Sequence, residues 1–187
     1  MNIKWETAVL GLAASLAFSG PAWAHGGSEH KPSVKKEAQA AEEKAFGKAG
    51  DPKKVSRTIQ VGMHDTMRFL ATGPGVRRAS ARAAASDEIR VNQGDTVKFI
   101  VANDGKVMHE MVLGTMQELK EHAELMRKHP GMEHDEPYMA HVAPGKKEEI
   151  VWQFTQPGEF YYGCLVAGHF EAGMIGKIVV APANKRM

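Results

Sequence analysis

The stretch Glu159-Phe160-Tyr161-Tyr162-Gly163-Cys164-Leu165-Val166-Ala167-Gly168-His169-Phe170-Glu171-Ala172-Gly173-Met174 decides how this chain is read. One strand candidate, residues 159–164, runs into a loop, and a second, residues 176–180, leaves it. Along the loop a cysteine, a histidine and a methionine follow one another with four residues between each. Gly168 and Gly173 immediately precede two of them and give the backbone room to turn. A further imidazole is available at His109, at the start of a strand candidate over residues 109–113. One thiolate, two imidazoles and a thioether make up the donor set of a mononuclear type 1 copper site. Sulfur donors favour Cu(I), while imidazole accepts both Cu(I) and Cu(II), so a His2Cys site with a weak axial Met changes little on electron transfer. Zinc is disfavoured because Met is not among its usual ligands. A Cys-His nucleophile would need an orienting group and an oxyanion hole, and no local signature of either is present.

Cys164 is the single cysteine of 187 residues, set among nine His and eleven Met. One thiol excludes an intrachain disulfide, a zinc ribbon and a CxxC redox pair. The N-terminus makes that thiol harder to account for. Lys4, an apolar run over residues 8–18 and the triplet Ala22-Trp23-Ala24 have the layout of a secretory signal peptide, cleaved after Ala24. The run is short for a membrane span. An exported, periplasmic protein that keeps one thiol must bury it or give it to a metal.

Outward from the loop, Thr96-Val97-Lys98-Phe99-Ile100-Val101 alternates with period two, following the turn Asn92-Gln93-Gly94-Asp95. Residues 58–61, 88–91 and 149–154 are further strand candidates. Some seven short strands with frequent turns predict an all-β antiparallel sandwich or barrel. Residues 115–129 form the one helix candidate: Thr115 and Glu118 fit a capping box, Leu119, Ala123 and Met126 share a face, and Pro130-Gly131 ends it. Residues 25–56 are rich in Lys, Glu, Ala and Gly and read as a mobile, His-containing extension. The domains expected are therefore a signal peptide (1–24), that extension, and a folded domain over 57–187. With 24 Lys+Arg against 22 Asp+Glu the formal charge is +2, which gives no footprint for nucleic acid.

These features resemble the cupredoxins, blue copper proteins of the plastocyanin, azurin and rusticyanin type. The resemblance covers residues 57–180 and is carried by Val91-Asn92-Gln93-Gly94-Asp95-Thr96-Val97, by Pro157-Gly158-Glu159-Phe160-Tyr161-Tyr162-Gly163-Cys164, and by Gly168-His169-Phe170-Glu171-Ala172-Gly173-Met174-Ile175-Gly176. It implies a cupredoxin-like Greek-key β-sandwich with the helix as an insertion, and His109, Cys164, His169 and Met174 as the ligands of one copper. The block Met108-His109-Glu110-Met111-Val112-Leu113-Gly114, the helix after it, and His129-Pro130-Gly131-Met132-Glu133-His134 are similar to periplasmic cupredoxins linked to bacterial copper tolerance, some of them green. Glu110 follows the first His where many blue cupredoxins carry Asn or Ser, a departure that leaves the hydrogen bonding around the ligands, and with it colour and potential, open.

Other His and Met residues are candidates for accessory copper: His25 and His30 in the extension, Met63, His64 and Met67, and Met132 and His134, near Met116, His122, Met126, Met139 and His141. Taken cluster by cluster, solvated polar residues and Met as core filler are the favoured explanation, while copper binding by at least one cluster stays open. The function expected is periplasmic type 1 copper binding and one-electron transfer with a role in copper tolerance. The alternative is a soluble electron carrier between respiratory partners. An enzyme such as a copper oxidase or nitrite reductase would need a second copper site and usually a second domain. The expected partner is a redox protein or a copper donor or acceptor protein, approached through the edge of His169. The mature chain is expected to be a monomer, free of nucleic acid and not inserted in the membrane.

Overall fold

In the computed structural model, which describes residues 42–80, 86–130, 132 and 134–183, the elements are β1 (Lys48–Ala49), β2 (Arg57–His64), β3 (Arg68–Thr72), β4 (Val76–Arg77), β5 (Glu88–Asn92), β6 (Thr96–Asn103), β7 (His109–Gly114), α1 (Met116–Lys128), β8 (Met139–Val142), β9 (Lys147–Gln153), β10 (Gly158–Gly163) and β11 (Ile175–Ala181). They form two sheets, ordered β1-β9-β6-β2-β3 and β4-β5-β11-β10-β7-β8. Period-two patterning explains the packing: Val97, Phe99 and Val101 of β6, Ile59, Val61 and Met63 of β2, and Ile178 and Val180 of β11 all enter one core between the sheets. The all-β sandwich and its inserted helix match the sequence expectation. The pairing is not wholly antiparallel, because β2 runs parallel to β6 and β5 parallel to β11.

The helix creates a second apolar layer. Thr115 caps it reciprocally with Glu118, and its buried face is Leu119, Ala123 and Met126, the residues the sequence selects. That face joins Val112, Met139, Leu165 and Phe170 in a smaller cluster. Strand β7 lies between the two layers and is buried along its whole length. Met111 and Leu113 face the inter-sheet core, while Val112 faces the helix layer. By the same alternation His109 and Glu110 point to opposite sides of one sheet.

The folded body begins earlier than residue 57. Phe46 is buried in the main core, stacked on Trp152 with ring centroids 5.2 Å apart, and its carbonyl accepts a 2.9 Å hydrogen bond from Trp152 Nε1. Next to it β1 pairs with β9. Residues 42–56 therefore belong to the sandwich, which corrects the reading of a mobile extension there; residues 25–41 lie outside the described residues, as does the signal peptide. A single aromatic in a Lys- and Ala-rich run carries no periodic signal, and only the long-range contact with Trp152 shows its role.

Candidate metal centre

Three elements bring the sequence-selected ligands together. His109 opens β7, Cys164 follows β10, and His169 sits in the loop between β10 and β11. The ligand atoms of His109, Cys164 and His169 all lie within 4.8 Å of one another. Cys164 Sγ is 3.3 Å from His169 Nδ1 and 3.8 Å from His109 Nδ1. Met174 is fully buried just before β11, and its backbone ties the loop shut: its N–H donates to the His169 carbonyl at 3.1 Å, and its carbonyl accepts from Cys164 N at 3.1 Å. Gly168 and Gly173, with φ of +88° and +90°, make the two turns that this closure requires.

The sequence reading missed one supporting residue. Asp65 Oδ1 lies 3.1 Å from His109 Nε2. A carboxylate accepts, so Nε2 carries the hydrogen and Nδ1 keeps its lone pair toward Cys164, the carboxylate–histidine–metal arrangement of many metal sites. Backbone N–H donation from Lys106 at 2.9 Å is the largest cause that holds the Asp65 carboxyl below its ordinary range. The signal was present in Met63-His64-Asp65-Thr66-Met67, but its pairing with His109 spans the sandwich. Asn103 secures the approach to β7, donating from Nδ2 to the carbonyls of Val107 at 2.8 Å and Val142 at 2.7 Å. Glu110, flagged as a departure, contributes through its backbone, whose N–H donates to Cys164 Sγ at 3.4 Å. Any residue but proline at that position offers this bond.

The donor set fits copper. Burial pushes the Cys164 thiol up to about 12, and the N–H from Glu110 only partly offsets this. A thiol so placed becomes a thiolate when a cation sits beside it. Burial and the neighbouring His109 ring hold His169 below the ordinary imidazole range, leaving it neutral with a lone pair to give.

The accessory candidates divide. Met63, one of the accessory copper candidates, is fully buried and packs in the inter-sheet core. Met67 packs against the same core. His64 pairs with Asp104 at 3.7 Å. Met126 and Met139 fill the helix layer. Met132 is exposed, and His134 meets His122 and His141. His25 and His30 lie outside the described residues. Among the described residues no helix is long and apolar enough to cross a membrane.

Residues 83–181 match the model of the copper-binding proteins of the plastocyanin/azurin family. A protein of Rubrivivax gelatinosus described as copper-resistant cuproprotein CopI is 47% identical over 135 residues, 72% of this chain and 73% of that one. A protein of Pseudomonas aeruginosa with the same description is 30% identical over 175 residues, 78% of this chain and 88% of its own length. In fold the chain resembles reduced auracyanin from Roseiflexus castenholzii, with a TM-score of 0.52 at 19% identity over 68% of this chain and 99% of that one. An auracyanin B structure gives a TM-score of 0.52 at 18% identity, covering 73% of this chain and 96% of the other.

Proposed function

Since the chain belongs to the plastocyanin/azurin family of copper-binding proteins, we propose that His109, Cys164, His169 and Met174 bind one type 1 copper in a periplasmic protein whose role is copper tolerance. The convergence of two imidazoles on one buried thiol within 4.8 Å carries the site. The relatives described as copper-resistant cuproproteins support the role. Residues 1–24 act as the cleaved export signal, and the copper domain takes in residues 42–56 as well as the sandwich that follows.

Copper at this site supplies a one-electron couple. The chain's own residues supply the rest. Full burial of Cys164 and Met174 keeps water from the sulfur side. Asp65 fixes the His109 tautomer, and the hydrogen-bonded loop holds His169 and Met174 at set places. A preset frame of this kind limits what must move when charge changes. His169 is the partly exposed ligand and gives the path to a partner, which would be a redox protein or a copper donor or acceptor protein. One sandwich with one such centre acts as a monomeric carrier or binder of copper rather than as an enzyme.

Deleting the gene should make cells copper-sensitive. The wild-type gene should restore growth on copper and a Cys164→Ser gene should not. Unchanged growth of the deletion strain would instead favour the dedicated electron carrier, a reading supported by the exposed apolar Val107 and Met108 just before His109. Replacing Met174 with Leu should leave copper bound and shift its reduction potential, measured by voltammetry. Complete loss of copper would contradict a weak axial role.

A further inference from the structure

Behind the first centre, on the helix side of β7, lies a second group of imidazoles around a buried carboxylate. Glu110 is 1% exposed, and among the described residues its ion-pair partner is His141 rather than a lysine or arginine. Its Oε2 lies 2.9 Å from His141 Nδ1, and its Oε1 is buried with no hydrogen-bond partner among the described residues. Strand pairing puts the two residues there, because Glu110 and His141 are register partners on β7 and β8. His122 of α1 and His134 of the loop before β8 complete the group, with ring centroids 4.7 Å apart. The His134 and His141 centroids are 6.3 Å apart. His134 Nδ1 is a second buried atom without a partner among the described residues.

We propose that His122, His134, His141 and Glu110 form a second metal site, distinct from the first and adapted to Cu(II).

Four observations support it. The His122–His134 pair, 4.7 Å apart and inclined at 41°, nearly repeats the His109–His169 pair, 4.9 Å apart at 49°. With metal–nitrogen bonds of ~2.0 Å, two imidazoles sharing one ion at tetrahedral or square angles have centroids roughly 4.5–5 Å apart. His141 Nε2 lies 2.9 Å from the carbonyl of His134, which can only accept. That bond fixes the hydrogen on Nε2 and presents Nδ1 inward, the way a ligating histidine is commonly anchored by its other nitrogen. Burial, aided by the His134 ring, holds His122 below the ordinary imidazole range and so leaves it a free lone pair. Finally, two buried polar atoms of this group, Glu110 Oε1 and His134 Nδ1, lack hydrogen-bond partners among the described residues, which is costly to keep.

The donors are nitrogen and oxygen without a thiolate, which suits Cu(II) above other divalent first-row ions. Binding requires the proton between His141 Nδ1 and Glu110 to leave to solvent, with the carboxylate and Nδ1 then facing the ion. Glu110 spans both centres, since its backbone N–H donates to Cys164 Sγ while its side chain belongs to the second group.

The test is Cu2+ titration of the full mature protein with its first centre loaded, followed by desalting, metal analysis and EPR. Wild type should retain one more Cu2+ per chain than a His122→Ala/His134→Ala double variant. The extra copper should show a tetragonal nitrogen/oxygen signal, and the visible type 1 band should be the same in both. His25 and His30 are present in both proteins, so their copper cancels in the comparison. Equal Cu2+ counts overturn the assignment. If the double variant loses its type 1 band, His134→Gln decides by the same count. The type 1 band reports the first centre separately, so failure of one assignment is visible without the other.

Discussion

Replacing Cys164 with Ser is expected to abolish intense visible absorption in the copper-loaded protein. The band of a type 1 centre comes from charge transfer between a thiolate sulfur and Cu(II), and serine oxygen is too hard a donor to reproduce it. Geometry makes this loss complete. Cys164 is the chain's single thiol, and its sulfur is the atom on which both imidazoles converge, at 3.3 and 3.8 Å. His109 and His169 remain, so Cu(II) should still bind as a pale nitrogen/oxygen complex. Retention of Cu(I) should fall further, because the soft donor is gone. Visible spectra together with copper stoichiometry check the result. An intense band that survives the substitution would show that another sulfur serves the metal.

The second large effect is on stability. Replacing Phe46 with Ala should destabilise the domain by about 3–5 kcal/mol, the usual cost of removing a fully packed aromatic ring. The ring is 2% exposed, stacks on Trp152 at 5.2 Å and meets Tyr138 edge-on at 5.6 Å. For a domain of this size that cost lowers the melting temperature on the order of 10 °C. Copper colour at room temperature should persist, because Phe46 is remote from the ligand loop in the chain and is not a ligand. Thermal unfolding followed by circular dichroism provides the measurement. An unchanged melting temperature would mean that the segment before β2 contributes nothing to the core.

The contrast between these two residues shows what a sequence can reveal here. The Cys164–His169–Met174 loop is legible because its chemistry is local: three donors at short, regular spacing between two strands. The capping box of α1 and the alternation of β6 are local for the same reason. Phe46, Asp65 and Glu110 are not legible, because each acquires its role from a partner far along the chain. Strands β1, β4 and β8 are too short to show a period. Methionine misleads: Met63, Met126, Met139 and Met174 are all buried, and only its place in the loop with Cys164 and His169 marks Met174 as a ligand candidate.

The two parallel pairings have a kinetic consequence. Ile178 of β11 lies opposite Ile89 of β5, so this pairing joins segments 89 residues apart in the chain. Chains with such non-local topology fold on the order of milliseconds to seconds, far more slowly than helical bundles. Until β11 docks, the loop that precedes it has no fixed shape and the thiol stands open to any oxidant or stray metal. The thiol is therefore most exposed during assembly, and the docking of β11 is the step that encloses it.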